Sequence, residues 1–190
     1  EFRKALNIAH KLGIQYVSTS TGGHDASSAG TLEEQRVRFL ERIGPLADEA
    51  ASLGITICLE THGGLLASGA TSAELVRQIG KPNVGINYDP GNVIFYGNTR
   101  PETDIEAAAT YVKHMHFKDQ IGGYQVWNFP PTGTGEIDFK PIFAALERVG
   151  FRGPCSVEIA FQGGPWPSLE DVNAAVAQSY RFARQFVPAP

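Results

Sequence analysis

The fold is decided by a helix end, a glycine and a short apolar strand, which read Ala50-Ala51-Ser52-Leu53-Gly54-Ile55-Thr56-Ile57-Cys58-Leu59-Glu60. Gly54 suits the left-handed backbone that ends many helices, and a strand-forming run follows it. The same order recurs after Leu12-Gly13, Ile79-Gly80 and Val149-Gly150. Helices that end in glycine and lead into strands, repeated along the chain, predict βα units and a parallel sheet.

Helix starts are marked by polar capping residues. Thr31-Leu32-Glu33-Glu34 has the spacing of a capping box and opens a helix to about Leu53, with a break or kink predicted at Gly44-Pro45. The other predicted helices run from Phe2 to Leu12, from Thr71 or Ser72 to Ile79, from Asp104 to about Tyr111, from Phe139 to Val149 after an Asp138 cap, and from Ser168 to about Phe186.

Five strands alternate with these helices, in units of roughly 30–40 residues that are typical of a (β/α)8 TIM barrel. A doubly wound sheet is the alternative, but it usually carries a glycine-rich phosphate loop after its first strand, and Gly22-Gly23 is too sparse for that. A closed barrel needs eight strands. We therefore interpret residues 1–190 as a single partial TIM-barrel domain that lacks about three N-terminal βα units. A genuine five-stranded open sheet would expose apolar edge and face.

The composition excludes several classes of function. The 190 residues are 42% hydrophobic and 19% charged, as in ordinary soluble globular proteins. A net charge of -4 argues against a nucleic-acid partner held by phosphate neutralisation. No basic amphipathic stretch and no apolar run of about 20 residues indicates a membrane. Cys58 and Cys155 match no zinc motif and predict buried, reduced thiols in a cytosolic protein.

Four strand-like segments end on an acidic or imidazole side chain, namely Glu60, Asp89, His116 and Glu158. A carboxylate at the end of an apolar strand is costly unless something compensates it. The C-terminal ends of barrel strands meet at one face of the molecule. Three carboxylates and one imidazole suit Mn²⁺, Mg²⁺, Co²⁺ or Zn²⁺, with open positions for water or substrate oxygens. The recurrence of these residues at the same point of consecutive units favours one shared divalent ion over separate helix caps or surface ion pairs.

Alternation along the strands divides their side chains between two faces. Asn87 shares a face with Asp89, and His114 shares a face with His116. The intervening residues are predicted to pack outward against the helices, and they are Ile57, Leu59, Ile86, Tyr88, Met115, Phe117, Val157 and Ile159.

Five motifs surround the strand-end residues. They are Leu59-Glu60-Thr61-His62-Gly63-Gly64, Tyr88-Asp89-Pro90-Gly91-Asn92, His114-Met115-His116-Phe117-Lys118-Asp119, Gly133-Thr134-Gly135-Glu136-Ile137-Asp138 and Val157-Glu158-Ile159. With them the chain resembles, over nearly its whole length, the xylose isomerase-like sugar phosphate isomerase/epimerase family of metal-dependent TIM barrels. Mapped onto that barrel, the five strands look like the fourth to the eighth.

The resemblance implies that Glu60, Asp89, His116 and Glu158 bind one divalent metal ion, with Mn²⁺ as the expected ion. Family epimerases use the two glutamates as an acid/base pair on opposite faces of a ketose. A proton α to a carbonyl is removed, and the metal stabilises the enediolate. The resemblance thus implies an isomerase or epimerase acting on a small-molecule sugar or polyol.

Asn92 departs from the hexulose epimerases, which carry a substrate-contacting histidine three residues after the aspartate. Asparagine can hydrogen-bond a hydroxyl but cannot titrate, so lyase or dehydratase chemistry on a keto-sugar, keto-inositol or 3-keto glycoside stays open. His62 and Lys118 are further substrate-binding candidates: a hydroxyl contact or base, and an oxyanion stabiliser. The alternatives are a loop histidine bonded to backbone and an ion pair from Lys118 to Asp119 or Asp138.

Two other classes of function are alternatives to a sugar isomerase or epimerase. A metal-dependent nuclease like endonuclease IV needs a multi-zinc cluster with more histidines than this chain offers. A non-catalytic sugar-binding or scaffold fragment is the alternative of another class, because part of a barrel need not close a pocket. Trp127 and Phe129 could line a pocket, form a lid or make a homo-oligomer contact, while His24 is interpreted as a solvated loop residue. Without clustered Arg and Lys, the chain favours an unphosphorylated substrate.

Overall fold

The structure, a computed structural model, describes residues 1–21 and 30–187, so His24 lies outside the described residues. The strands are β1 Tyr16–Thr19, β2 Thr56–Glu60, β3 Val84–Tyr88, β4 Val112–Phe117 and β5 Cys155–Val157. The helices are α1 Phe2–Lys11, α2 Leu32–Ser52, α3 Gly69–Ile79, α4 Pro90–Gly97, α5 Pro101–Ala108, α6 Phe139–Arg148 and α7 Leu169–Ala183. A 3-10 turn, Ala109–Tyr111, leads from α5 into β4.

The strands form one parallel sheet in the order β1-β2-β3-β4-β5. Each strand pairs with the next in sequence and the order never reverses, as in a barrel and unlike a doubly wound sheet. All five residues of β3 are buried, whereas β1 and β5 at the two edges are partly exposed. The described residues therefore form part of a barrel, and the predicted fold class is confirmed.

The apolar side chains between the strand-end ligands lie in the core, as the alternation predicts. Ile57, Leu59, Ile86 and Tyr88 are fully buried in the same cluster as helix residues such as Leu75. Met115 and Phe117 are also buried there, Val157 packs against the cluster, and Ile159 is only half-buried. This packing leaves the other face of each strand for the polar residues.

Several predicted helix boundaries were wrong. Helix α2 continues without a break through Pro45, although its predicted capping box at Thr31 is confirmed. Helix α3 is capped by Ser68 rather than by Thr71 or Ser72, because Ser68 and Thr71 form their own capping box. Asp104 does not open a helix.

Asp104 lies inside α5, which begins at Pro101. Its carboxylate instead accepts hydrogen bonds from the backbone N–H groups of Gly69 (2.6 Å) and Ala70 (3.3 Å) and from the Tyr88 hydroxyl (3.1 Å). Asp104 therefore caps the neighbouring helix α3 and anchors the end of β3.

Helix α4 was not predicted, and it follows β3 directly. Asp89 is its N-cap and accepts a hydrogen bond from the Asn92 backbone N–H at 2.8 Å, while Pro90 occupies the first turn. A proline after a capping aspartate is a common helix start. The cap holds one carboxylate oxygen of Asp89 and leaves the other for the functional site.

Asp119 organises the loop after β4. Its buried carboxylate accepts hydrogen bonds from the backbone N–H groups of Gln120, Gly133, Gly135 and Ile137 at 2.9–3.2 Å. A Cβ at Gly135 would collide with this carboxylate, which explains the glycine there. The alternative of an ion pair between Lys118 and Asp119 is therefore absent, because the Asp119 carboxylate binds the loop instead.

Replacement of Asp119 by alanine should destabilise the protein strongly. Four backbone donors lose their acceptor, and we expect the free energy of unfolding to fall by about 3–5 kcal/mol, measured by chemical denaturation. The matched control is Asp138→Ala, which removes an exposed cap whose carboxylate accepts only the Lys140 N–H, with an expected loss of about 1 kcal/mol. Equal losses in the two variants would contradict this role of Asp119.

Candidate metal centre

The four strand-end residues of the sequence prediction converge at one edge of the sheet. Glu60 is the last residue of β2, Asp89 follows β3, His116 is the penultimate residue of β4, and Glu158 follows β5. One donor atom from each residue lies within 4.8 Å of all the others. Because parallel strands end at the same edge, residues distant in sequence meet here.

His116 is at the centre of this cluster. Its Nδ1 atom lies 2.8 Å from Glu158 Oε2, 3.1 Å from Asp89 Oδ2 and 3.6 Å from Glu60 Oε1. Burial alone would lower the pKa of His116, but its hydrogen bonds with Asp89 and Glu158 raise that pKa to about 10. In the absence of a metal ion, a proton on Nδ1 therefore occupies the position between the carboxylates.

The two glutamates of the cluster differ electrostatically. Burial, followed by the nearby charge of Asp89, raises the pKa of Glu60 to about 7. Burial also acts to raise the pKa of Glu158, but the His116 hydrogen bond and the Lys118 charge outweigh it and lower that pKa to about 2. The two carboxylates share a cluster, yet only Glu158 has a direct ion pair with a lysine.

Lys118 and Asn92 join the two glutamates through a chain of hydrogen bonds. Lys118 Nζ donates to Glu158 Oε1 at 2.6 Å and to Asn92 Oδ1 at 3.0 Å. Asn92 Nδ2 in turn donates to Glu60 Oε1 at 3.1 Å. Both side chains are almost completely buried, so they hold the carboxylates in place, and their predicted contact with substrate stays a prediction.

His62 lies beside the cluster, two residues after β2. Its Nε2 atom is 3.4 Å from the Tyr96 hydroxyl, and the two rings are 4.8 Å apart. Burial and the Lys118 charge lower the pKa of His62. Its backbone N–H donates to the Leu66 carbonyl, and a hydrogen bond between the His62 ring and backbone partly opposes the lowering of its pKa.

Two residues near the cluster were not singled out from the sequence. Thr61 Oγ1 accepts the Asp89 backbone N–H at 2.8 Å and donates to the Asp89 carbonyl at 3.1 Å, which fixes the position of the Asp89 backbone. The sequence signal for Thr61 was its place between Glu60 and His62. Tyr96 lies on helix α4, which was not predicted, so its place near His62 could not be inferred.

Aromatic rings flank the cluster. Phe129 is buried, and its ring centroid lies 4.6 Å from Lys118 Nζ. Phe95 contacts both Phe129 and Trp127, with centroids 5.7 Å and 5.6 Å away. Trp127 remains 47% exposed, so the rings form a wall that runs from the charged cluster to the surface.

The donor set fits a divalent cation. Three carboxylate oxygens and one imidazole nitrogen are ligands that Mn²⁺, Mg²⁺ and Zn²⁺ accept. With all three carboxylates ionised and His116 neutral, the cluster and Lys118 would together carry a net charge of −2, which a divalent ion balances. Such an ion would take the position that the His116 proton otherwise occupies.

Metal binding should therefore release protons. At pH 6 an incoming ion displaces a proton from His116, whose pKa is about 10, and from most molecules of Glu60, whose pKa is about 7. At pH 8 Glu60 is ionised and only the His116 proton is released, so metal affinity should rise with pH over this range. Calorimetry in buffers of different ionisation enthalpy measures both quantities. A pH-independent affinity without proton release would contradict the expectation.

The cysteines do not contribute to this centre. Cys58 is buried and Cys155 half-buried, and neither forms a disulfide, which corrects the prediction of burial for Cys155. Burial raises the pKa of both thiols. Among the described residues, no helix combines the length and apolar character that a membrane crossing requires.

A curated protein is similar to this chain in sequence. The chain is 25% identical to L-ribulose-5-phosphate 3-epimerase UlaE of Salmonella paratyphi C (strain RKS4594), over 90% of its own length and 59% of that relative. The chain thus spans less than two thirds of the length of this curated relative.

Two solved structures have a similar fold. D-psicose 3-epimerase with D-tagatose, from Clostridium cellulolyticum H10, superposes with a TM-score of 0.79 at 17% identity, over 98% of this chain and 69% of that one. The IolI protein with a bound zinc atom superposes with a TM-score of 0.76 at 19% identity, over 99% and 69%.

A protein-family model described as a xylose isomerase-like TIM barrel matches residues 1–186 of this chain. That match covers the parallel strands, the helices between them and all four residues of the acidic cluster. The chain therefore belongs to the xylose isomerase-like TIM barrel family.

Proposed function

We propose that this protein is a divalent-metal-dependent isomerase or epimerase of a sugar or polyol. The observation that carries the proposal is the convergence of Glu60, Asp89, His116 and Glu158 on one point. The name of the Salmonella relative, an L-ribulose-5-phosphate 3-epimerase, supports the same class of reaction. We propose Mn²⁺ as the preferred ion, in the position surrounded by these four residues.

The roles of the four residues follow from their surroundings. Asp89 is fully buried and its Oδ1 atom caps α4, so its Oδ2 atom would hold the ion. His116 would hold the ion through Nδ1. The bound ion would supply positive charge next to a substrate carbonyl and so make the adjacent C–H more acidic.

Glu60 and Glu158 would carry out the proton transfers. They approach the cluster from β2 and β5, two strands separated by β3 and β4, so a substrate between them would present one face to each. One carboxylate removes the proton α to the carbonyl, and the other returns a proton to the opposite face of the enediolate. Lys118 and Asn92 keep both carboxylates oriented through their hydrogen bonds.

The substrate would contact the polar cluster on one side and the aromatic wall on the other. Phe129, Phe95 and Trp127 offer apolar ring faces beside Lys118. Lys118 is already paired with Glu158 and Asn92, so it does not serve as a free phosphate ligand. We therefore propose an unphosphorylated sugar or polyol, with His62 as a further contact.

A lyase or dehydratase reaction of the same site is the second candidate. The feature that favours it is Asn92, which is buried between Lys118 and Glu60 and cannot titrate. Both reactions begin with removal of a proton α to a carbonyl, so they share Glu60 and Glu158. They differ in whether a neighbouring hydroxyl or glycosidic oxygen then leaves.

A panel of substrates tests the proposal. Ketoses, keto-inositols and 3-keto glycosides would be incubated with the protein and Mn²⁺, and the products identified by chromatography and NMR. The proposal expects metal-dependent formation of an epimer or isomer from at least one compound. Elimination products instead would favour the second candidate, and binding of sugars without any conversion would favour a non-catalytic sugar-binding protein.

We further propose that residues 1–190 supply the fourth to eighth strands of an eight-stranded barrel. The partial exposure of β1 and β5 and the greater length of the relatives support this arrangement. The intact mass of the protein from its natural source tests it. A mass of about 20 kDa with a closed, active site would contradict it.

A further inference from the structure

Asn87 is a buried polar residue that the proposed mechanism does not use. It is the penultimate residue of β3 and is fully buried on the same face as Asp89. Its Nδ2 atom lies 3.0 Å from Ser18 Oγ and 3.0 Å from His116 Nε2. Its Oδ1 atom is buried and has no hydrogen-bond partner among the described residues. An amide placed against a ligand histidine, with one atom unused, calls for an explanation.

The contact with His116 is chemically restrictive. The His116 Nδ1 atom faces three carboxylates, so it is the nitrogen that would give its lone pair to a metal ion. A neutral imidazole that binds through Nδ1 carries its hydrogen on Nε2, which then must donate a hydrogen bond. An amide NH₂ facing that N–H would place two donors against each other.

A half-turn of the Asn87 amide removes this conflict and moves Nδ2 to the buried position that has no partner among the described residues. Oδ1 then takes the position 3.0 Å from both His116 Nε2 and Ser18 Oγ. The oxygen has two lone pairs, and a serine hydroxyl can donate as readily as it accepts. Among the described residues, no other group bonds to His116 Nε2. The nearby His114 ring, 5.2 Å away, uses its own Nε2 to bond Ser156 Oγ at 2.9 Å.

We propose that Asn87 is a positioning residue whose amide oxygen accepts the Nε2–H of His116 and thereby reserves Nδ1 for the metal ion. The inference rests on the proposed metal centre but not on any particular reaction. Groups that accept the second N–H of a metal-bound histidine commonly contribute 10–100-fold to metal affinity. Ser18, on the adjacent part of β1, donates to the same oxygen and keeps the amide in this orientation.

Two substitutions separate this role from a merely structural one. Asn87→Leu has a similar volume but no acceptor, and we expect it to weaken Zn²⁺ and Mn²⁺ binding about 10–100-fold in calorimetric titrations. Asn87→Asp keeps an acceptor and removes the donor, and we expect it to bind as tightly as the unchanged protein or more tightly. The control is Asn83→Leu, because Asn83 bonds the Ala47 and Ile55 carbonyls just before the start of β3 and should not affect metal binding.

Nitrogen-15 NMR of the Zn²⁺-loaded protein measures directly which His116 ring nitrogen carries the hydrogen and which binds the metal. We expect His116 to show a protonated Nε2 and a metal-bound Nδ1, both in the unchanged protein and in Asn87→Asp, so the test survives if Asn87→Leu fails to fold. Equal weakening by Asp and Leu, or a metal-bound Nε2, would overturn the proposal. Absence of metal binding by the unchanged protein would overturn it together with the metal centre. Metal binding without turnover would contradict only the proposed function.

Discussion

Asp89→Asn should reduce the affinity of the protein for Mn²⁺ by at least about 100-fold, because it replaces one of the three anionic ligands with a neutral amide. Asp89 is fully buried, and its Oδ2 atom points towards His116 Nδ1 at 3.1 Å. The fold should survive, since asparagine is as good a helix cap as aspartate and can still accept the Asn92 N–H at the start of α4. Calorimetric titration of the metal-free protein measures the affinity.

Asp104→Asn is the matched control for this variant. Asp104 is also buried, also accepts backbone N–H groups at a helix start, and lies outside the acidic cluster. We expect Asp104→Asn to lower thermal stability and leave the Mn²⁺ affinity unchanged. An unchanged affinity in Asp89→Asn, or an equal loss in both variants, would show that Asp89 is not a ligand.

Glu60→Gln and Glu158→Gln should each lower kcat by about 10²–10⁴-fold, the usual contribution of a general acid or base. Either substitution would slow the proposed reaction, in which one carboxylate removes the proton and the other returns it. Glutamine keeps an oxygen near the ion, so metal should still bind at raised concentrations. The assay is turnover of the best substrate of the panel at saturating metal, with metal occupancy determined in parallel.

Glu136→Gln is the control for the glutamate variants. Glu136 is exposed, lies in the loop after β4 and is not part of the acidic cluster. The turnover of Glu136→Gln should therefore match that of the unchanged protein. Full turnover by a metal-loaded Glu60→Gln or Glu158→Gln protein would exclude that residue from proton transfer. If either variant fails to bind metal even at high metal concentrations, the residue is needed to bind the ion.

The cluster was predictable from the sequence because its signal is local. Each of its residues ends an apolar strand, and the alternation along the strand gives its face, so Glu60, Asp89, His116 and Glu158 could be placed together without knowledge of the packing. The outward packing of Ile57 and Tyr88 followed from the same alternation. The parallel order of the sheet followed from the repeated helix and strand pattern.

Some of the errors arose where a side chain acts on a distant part of the chain. Asp104 has the composition of a helix cap, but it caps α3, 35 residues earlier in the chain, and no sequence spacing reveals that. The Asp119 carboxylate accepts hydrogen bonds from loop N–H groups such as that of Ile137, and Lys118 pairs with Glu158 instead. Hydrogen bonds of this kind are tertiary and depend on which loops the barrel brings together.

Helix α4 illustrates a different difficulty. Asp89-Pro90 carries the signal of a helix start, but Asp89 also ends a strand as a candidate ligand, and the sequence analysis gave it only the second role. The structure shows both, one for each carboxylate oxygen. With α4 comes Phe95, which joins Trp127 and Phe129 in the aromatic wall and which the sequence analysis did not name.

The central claim, that the four strand-end residues hold a divalent ion used to remove a proton α to a carbonyl, is tested most directly by hydrogen exchange in D₂O. A ketose substrate would be incubated with Mg²⁺-loaded protein, and deuterium at the carbon next to the carbonyl followed by proton NMR. We predict exchange that stops on chelation, returns with added metal and is absent in a Glu60→Gln, Glu158→Gln double variant. Exchange that persists in the chelated protein or the double variant, or no exchange with any substrate of the panel, would contradict the account.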